Sequence, residues 1–121
     1  MVKRVLLVDD HAIFTQAMRL VLGKVEGMTV SGAAGTLAEG RELLFADRAR
    51  EVDLVVVDLM LPDGNGAELV AEIKSRRPGL PVVVLSAEED FSRAFEAGAD
   101  EAINKSTPLP QIVAALQRIV G

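Results

Sequence analysis

Leu54-Val55-Val56-Val57-Asp58 is a run of aliphatic, mostly β-branched residues that ends in a carboxylate. An apolar run this short and unbroken suits a strand buried on both faces of a parallel sheet. Two more runs share the pattern: Val5–Val8, followed by Asp9-Asp10, and Val82–Leu85, followed by Ser86. Thr29–Gly32 and Glu101–Asn104 are weaker and more mixed, which suits less buried strands at the sheet edges; Lys105 comes directly after the second. In chain order these are the predicted strands β1 (Val5–Val8), β2 (Thr29–Gly32), β3 (Leu54–Val57), β4 (Val82–Leu85) and β5 (Glu101–Asn104).

Helical periodicity fills the intervals. Ile13, Phe14, Ala17, Met18, Val21 and Leu22 recur at helical spacing and define α1, with Asp10 as the expected N-cap and Gly23 or Gly27 as the stop. Leu37, Gly40, Leu43 and Leu44 define α2 behind Thr36 as N-cap, and Leu69, Val70 and Ile73 define α3, halted by Pro78-Gly79. Phe91, Ala94 and Phe95 define a short α4 that stops near Gly98; Ile112, Val113, Leu116, Ile119 and Val120 define α5, opened by Pro108 and Pro110. The alternation predicts an α/β, flavodoxin-like (βα)₅ three-layer sandwich with a parallel five-stranded sheet. Right-handed crossovers favour the strand order 2-1-3-4-5.

The 121 residues fit one domain, half of them hydrophobic, with four Phe and no Tyr or Trp. The core must therefore be aliphatic. No cysteine is present, which excludes disulfides, thiolate metal sites and Cys nucleophiles. A formal charge of −5 opposes direct nucleic-acid binding. No apolar run reaches the length of a membrane span, and the first residues do not read as a signal peptide. The expected setting is cytoplasmic.

The residues at the carboxyl end of each strand carry the chemistry. In this fold the strand ends share one rim, so Asp9, Asp10, Asp58, Ser86 and Lys105 would converge there. Taken singly, each has a bland role: Asp10 a helix cap, Ser86 a turn residue, Lys105 a solvated loop lysine. The set is the signal. Three carboxylates in one pocket repel one another, and a divalent cation relieves the repulsion. Oxygen ligands suit Mg²⁺, with Mn²⁺ also acceptable, and argue against Zn²⁺. A carboxylate beside such an ion can act as a nucleophile toward phosphorus. Phosphoryl transfer needs mainly positioning and charge neutralisation, for which Lys105 offers a cation and Ser86 a donor. His11 could serve as a metal ligand or an acid–base group, but it falls in the first turn of α1 near the rim, where it is expected to tune access; no second His completes a metal set.

These residues carry a resemblance. Val5-Leu6-Leu7-Val8-Asp9-Asp10-His11, Leu54 through Gly64, Val84-Leu85-Ser86-Ala87, Ala97-Gly98-Ala99-Asp100 and Lys105 together resemble the receiver domains of bacterial two-component response regulators. The resemblance covers essentially the whole chain, so residues 1–121 are expected to form one receiver domain. It implies that Asp58 is the phosphoacceptor, with Asp9 and Asp10 as the metal-binding acidic pair and the backbone carbonyl of Met60 as a further Mg²⁺ ligand. It also implies that Ser86 is the switch hydroxyl and Lys105 the phosphate-pairing lysine. The phosphodonor would be a phosphohistidine on a sensor histidine kinase or a phosphotransfer protein. Asp10-His11, and the lack of proline after Lys105, are most similar to the NarL/FixJ (LuxR-type) subfamily, whose receivers usually precede a C-terminal helix-turn-helix domain. A transcriptional output, a homodimer and DNA contact only through such an output domain are the corresponding expectations.

The chain departs from that family pattern at three places. Ala102 stands three before Lys105, where an aromatic or His is common and reports the state of the switch hydroxyl. Gly98 lies twelve positions after Ser86, fewer than usual by most of a helical turn of ~3.6 residues. Ser106, not Pro, comes after Lys105, so no cis bond is expected there. These departures touch the output, here the α4-β5-α5 surface, and leave the chemistry residues in place. The alternative is a stand-alone receiver, or an interaction module that works without phosphate.

A turnover enzyme is not expected, beyond Mg-dependent self-phosphorylation and autodephosphorylation. Aspartyl-nucleophile phosphatases commonly carry a second Asp two residues on, and here that position is Met60. A P-loop is absent, Gly64-Asn65-Gly66 reads as a turn, and no Tyr or Trp is available to stack on a flavin.

Overall fold

Side-chain alternation along the central strands splits the core in two, as a period of two residues requires. The structure, a computed structural model, describes residues 2–46 and 51–121. In β1 (Lys3–Val8), Val5 and Leu7 enter one apolar cluster, while Leu6 and Val8 enter the other. β3 (Leu54–Val57) divides likewise into Leu54 and Val56 against Val55 and Val57. β4 (Val82–Ser86) sends Val83 and Leu85 one way, Val82 and Val84 the other.

Helices close both sides. α1 (Ala12–Leu22) contributes Met18 and Leu22, and α5 (Leu109–Val120) contributes Ile112, Val113 and Leu116, to the cluster around Leu7 and Val56. α2 (Leu37–Phe45) supplies Leu37 and Leu44, α3 (Gly66–Arg76) supplies Leu69, Val70 and Ile73, and α4 (Ser92–Glu96) supplies Ala94 to the opposite cluster. Each fully buried Val, Leu or Ile stabilises the fold by roughly 1.5–3 kcal/mol relative to exposure. β2 (Met28–Ala34) and β5 (Glu101–Asn104) flank the sheet, whose five strands run parallel in the order β2-β1-β3-β4-β5. This is the expected flavodoxin-like sandwich.

Several details differ from the sequence reading. β2 runs from Met28 to Ala34 and carries an irregularity: Val5 pairs with Val30 but Leu6 pairs with Gly32, so Ser31 is an extra residue. The expected cap Asp10 does not cap α1. The N-cap is His11, without a side-chain cap bond, because Asp9 Oδ1 takes the His11 N–H at 2.8 Å and the helix starts one residue later. Thr36 does cap α2, its Oγ1 accepting the Glu39 N–H at 3.0 Å. Gly23 caps the end of α1. Gly98, at φ +104, turns the chain after α4, a conformation that L side chains rarely adopt.

The segment after β3 holds more structure than a turn. Met60–Leu61 and Gly64–Asn65 form a small antiparallel hairpin. Asn65 then caps α3, accepting the Ala67 N–H at 2.8 Å, while Glu68 returns to the Asn65 N–H at 3.3 Å in a capping box. Gly66 donates its N–H to Leu59 O at 2.8 Å and lies against β3. A Cβ there would sit 2.0 Å from the Asp58 carbonyl oxygen. From the hairpin's tip, Asp63 accepts N–H groups of Leu37 at 2.8 Å and Ala38 at 3.1 Å, joining the loop to the N-terminus of α2.

Gly66→Ala forces the backbone around Asp58 to shift and lowers stability by about 1–3 kcal/mol, the usual cost of overpacking. Gly79→Ala, where a Cβ meets nothing within 4 Å, serves as the control in urea titrations and leaves the midpoint nearly unchanged. Asp63 gives a pH-dependent expectation. The Leu37 N–H above all, then the Ala38 N–H, holds its carboxyl below the usual carboxylate range. Its contribution is therefore fully present above the ordinary carboxylate pKa and disappears as pH falls through the lowered folded value. Wild type exceeds Asp63→Ala in thermal midpoint at neutral pH, and the gap closes in acid; a gap that stays constant with pH refutes the cap.

Candidate functional site

Three backbone hydrogen bonds carry the sheet's ladder one residue past its strands. Asp9 N–H reaches Ala34 O at 2.8 Å, Asp58 N–H reaches Val8 O at 2.9 Å, and Lys105 N–H reaches Ser86 O at 2.9 Å. The alternation therefore continues, and Asp9, Asp58 and Lys105 share the side of Leu7, Val56 and Ile103. Their side chains meet there.

Asp58 is 2% exposed. Its Oδ1 accepts the Met60 N–H at 3.1 Å, and its Oδ2 lies 2.9 Å from Lys105 Nζ. The same ammonium stands 2.6 Å from Asp9 Oδ2. Lys105 thus bridges two largely buried carboxylates, and its charge also lies over the Phe14 ring, 4.8 Å from the centroid. The fifth strand delivers the lysine, the first and third deliver the aspartates, and α1 supplies the aromatic face.

His11 stands at the rim, its side chain more than half exposed, with one ring nitrogen against the cluster. Its Nδ1 lies 3.0 Å from Asp9 Oδ1, 3.4 Å from Asp58 Oδ2, 3.7 Å from Asp10 Oδ1 and 2.8 Å from Lys105 Nζ. Asp10 stands at the outer side, about a third exposed. One ligand atom from each of Asp9, Asp10, His11 and Asp58 lies within 4.8 Å of the others. This donor set is dominated by carboxylate oxygen, with one imidazole nitrogen, and it fits a hard divalent cation such as Mg²⁺ or Mn²⁺.

Ser86 is fully buried and belongs to β4 as its last residue. It ends the strand at the rim, after Val82 and Val84 of one core cluster, and just before Ala87 and Glu88 of the cleft. Its Oγ accepts the Glu88 N–H at 3.3 Å. Met60 is more than half exposed at the hairpin beside Asp58. A cleft of about 500 Å³ opens here, lined by Asp10, His11, Met60, Pro62, Ala87 and Glu88. The structure thus gathers Asp9, Asp10, Asp58 and Lys105, and leaves Ser86 on the adjoining strand. No cis peptide bond occurs among the described residues, Lys105-Ser106 included.

Sequence reasoning passed over Gly66, Phe14 and Asn104. Gly66 looked like a turn glycine because its tight contact is with residue 58 and not with a sequence neighbour. Phe14 fitted the apolar stripe of α1, so nothing marked its ring as a seat for the ammonium. Asn104 carries a readable signal, a carboxamide at the last position of a strand, directly before the lysine.

Comparison with known proteins agrees with this arrangement. The sequence model of the response regulator receiver domain family matches residues 5–117. The chain is 31% identical to the probable transcriptional regulatory protein TcrX of Mycobacterium tuberculosis, over 96% of this chain and 49% of that protein. It is 34% identical to the DNA-binding transcriptional activator DevR/DosR of the same organism, over 96% of this chain and 54% of the relative. It therefore spans about half the length of the curated relatives it matches. Among solved structures, a LuxR-family two-component response regulator from Aurantimonas sp. SI85-9A1 superposes with a TM-score of 0.87 at 28% identity, covering 99% of this chain and 86% of the other. No described helix is long and apolar enough to cross a membrane. With its family model matched almost end to end and the acidic rim in place, this chain belongs to the response regulator receiver domain family.

Proposed function

We propose that Asp58 accepts a phosphoryl group from a phosphohistidine and that the receiver thereby switches its α4-β5-α5 surface. The observation that carries this reading is the setting of one carboxylate: Asp58 is buried, oriented by the Met60 N–H, and compensated by Lys105 within an acidic cluster. An Asp58 oxygen attacks phosphorus, the donor's P–N bond breaks, and the imidazole leaves with the electron pair and takes a proton from solvent. Lys105 turns from the carboxylates to the incoming phosphoryl oxygens, and Ser86 offers its hydroxyl to another. Asp9, Asp10, Asp58 and the Met60 carbonyl would hold Mg²⁺, or Mn²⁺ in its place. The ion supplies charge neutralisation and alignment of the phosphoryl oxygens when bound. The same residues account for slow self-phosphorylation from small donors and for autodephosphorylation, without turnover of an external substrate.

The partner is a sensor histidine kinase or a phosphotransfer protein, in a cytoplasmic setting. Relatives named as transcriptional regulators are about twice as long. A helix-turn-helix output domain, a homodimer and transcriptional control are accordingly part of the proposal, with DNA contacted by that domain and not by this acidic one. A second reading, an interaction module that works without phosphate, draws support from Ala102 and from an α4 of only 5 residues.

Two measurements test the site. Acetyl phosphate with Mg²⁺ adds one phosphoryl mass to wild type in intact-mass spectrometry, and Asp58→Asn stays unmodified; an adduct of equal yield in the variant overturns the assignment. Asp10→Asn raises the Mg²⁺ concentration for half-maximal adduct on the order of tenfold, equivalent to about 1.4 kcal/mol. An unchanged Mg²⁺ dependence removes Asp10 from the metal set.

A further inference from the structure

A hydrogen-bonded chain runs from the buried Ser86 hydroxyl, through the Glu88 backbone beside the cleft, to the turn that carries Lys105. Ser86 and Asn104 are register partners across β4 and β5. Ser86 Oγ accepts the Glu88 N–H at 3.3 Å. The Glu88 carbonyl accepts from Asn104 Nδ2 at 3.4 Å. Asn104 Oδ1 in turn accepts the Ser106 N–H at 2.8 Å, closing a turn around Lys105. The carboxamide orientation is fixed by its partners: a backbone N–H requires the oxygen, and a carbonyl requires the nitrogen. One end of this link is short and the other is long for a hydrogen bond. Four residues beyond Glu88, Ser92 opens α4, its N–H and hydroxyl both on Asp90 Oδ1 at 2.9 and 2.6 Å.

We infer that Asn104 is the positioning residue that holds the Glu88 segment, and with it the approach to α4, against the Lys105 turn until the Ser86 hydroxyl is drawn away. It serves where Ala102, a partly buried methyl group, has neither the bulk nor a polar atom to report a movement. This inference rests on the phosphoacceptor reading of Asp58. A phosphoryl group draws Ser86 Oγ from the Glu88 N–H. The segment before α4 then repositions, and the Glu88 carbonyl leaves the long end of the Asn104 link. The short end keeps Asn104 on the Ser106 N–H, so the Lys105 turn holds its shape while α4 moves.

The test uses beryllofluoride with Mg²⁺ as the phosphoryl mimic and ¹H–¹⁵N NMR as the readout. In wild type the mimic shifts the amides of Ser86, Glu88, Ala94 and Phe95 and the Asn104 side-chain NH₂. Asn104→Ser keeps a hydroxyl near the Ser106 N–H but cannot reach Glu88. Asn104→Leu removes both bonds at similar bulk. Both variants keep the Ser86 shift and lose about half or more of the shift at Ala94 and Phe95. Asn104→Ser also keeps its rate of modification by acetyl phosphate within about twofold, because the Lys105 turn persists. Wild-type-sized α4 shifts in both variants overturn the coupling role and leave the phosphoacceptor reading standing. Wild-type shifts confined to the rim overturn the coupling and favour the module that works without phosphate. No shift at Ser86 or Asp58 in wild type overturns the phosphoacceptor reading, and this inference with it.

Discussion

Two carboxylates held side by side away from water need a cation between them. Asp9 and Asp58 have oxygens within 4.8 Å of each other, where like charges repel by roughly 3 kcal/mol at an effective dielectric near 20. Lys105, at 2.6 Å from one and 2.9 Å from the other, cancels that repulsion. The sheet order exists on the same terms. Only with β3 between β1 and β4 can the aspartates sit on adjacent strands, and only with β5 beyond β4 does a lysine reach across to both. On the reading proposed above, a metal ion held by the carboxylates would neutralise them and leave the ammonium available to an incoming anion.

The backbone around Asp58 is fastened at several points. Gly66 presses on the Asp58 carbonyl, Asn65 and Glu68 fix the start of α3, and Asp63 reaches across to α2. Backbone on the α3 side is therefore set by several hydrogen bonds and by the close packing of Gly66. On the α4 side, the Glu88 N–H meets Ser86 Oγ at 3.3 Å and Asn104 Nδ2 meets the Glu88 carbonyl at 3.4 Å.

Much of this was legible. The apolar runs at 5–8, 54–57 and 82–85 place the central strands, since only burial on both faces tolerates such continuity. Counting one residue past each run finds Asp9, Asp58 and Ser86. Alternation, applied one step further, also assigns Asp9, Asp58 and Lys105 to one side, a grouping available in the sequence but not drawn from it. Other features were not legible because they depend on distant partners. Asp10 reads as a cap by residue type, yet Asp9 captures the His11 N–H and displaces the helix start. The Ser31 irregularity reflects pairing with β1, and Gly66 is required by a carbonyl that only the fold brings near.

α4 spans 5 residues, and Ala94 is its only buried side chain. A helix that short cannot repay its own nucleation and exists only while its seat on the sheet is filled. A long helix in this position would answer a push by translating as a rigid rod. This one lies nearer the threshold between helix and coil, so a small change in the preceding loop alters how much of the time it is folded. On the proposed reading, the output surface would carry its message as a degree of order, and a partner that reads it would be selecting a fold as well as a shape.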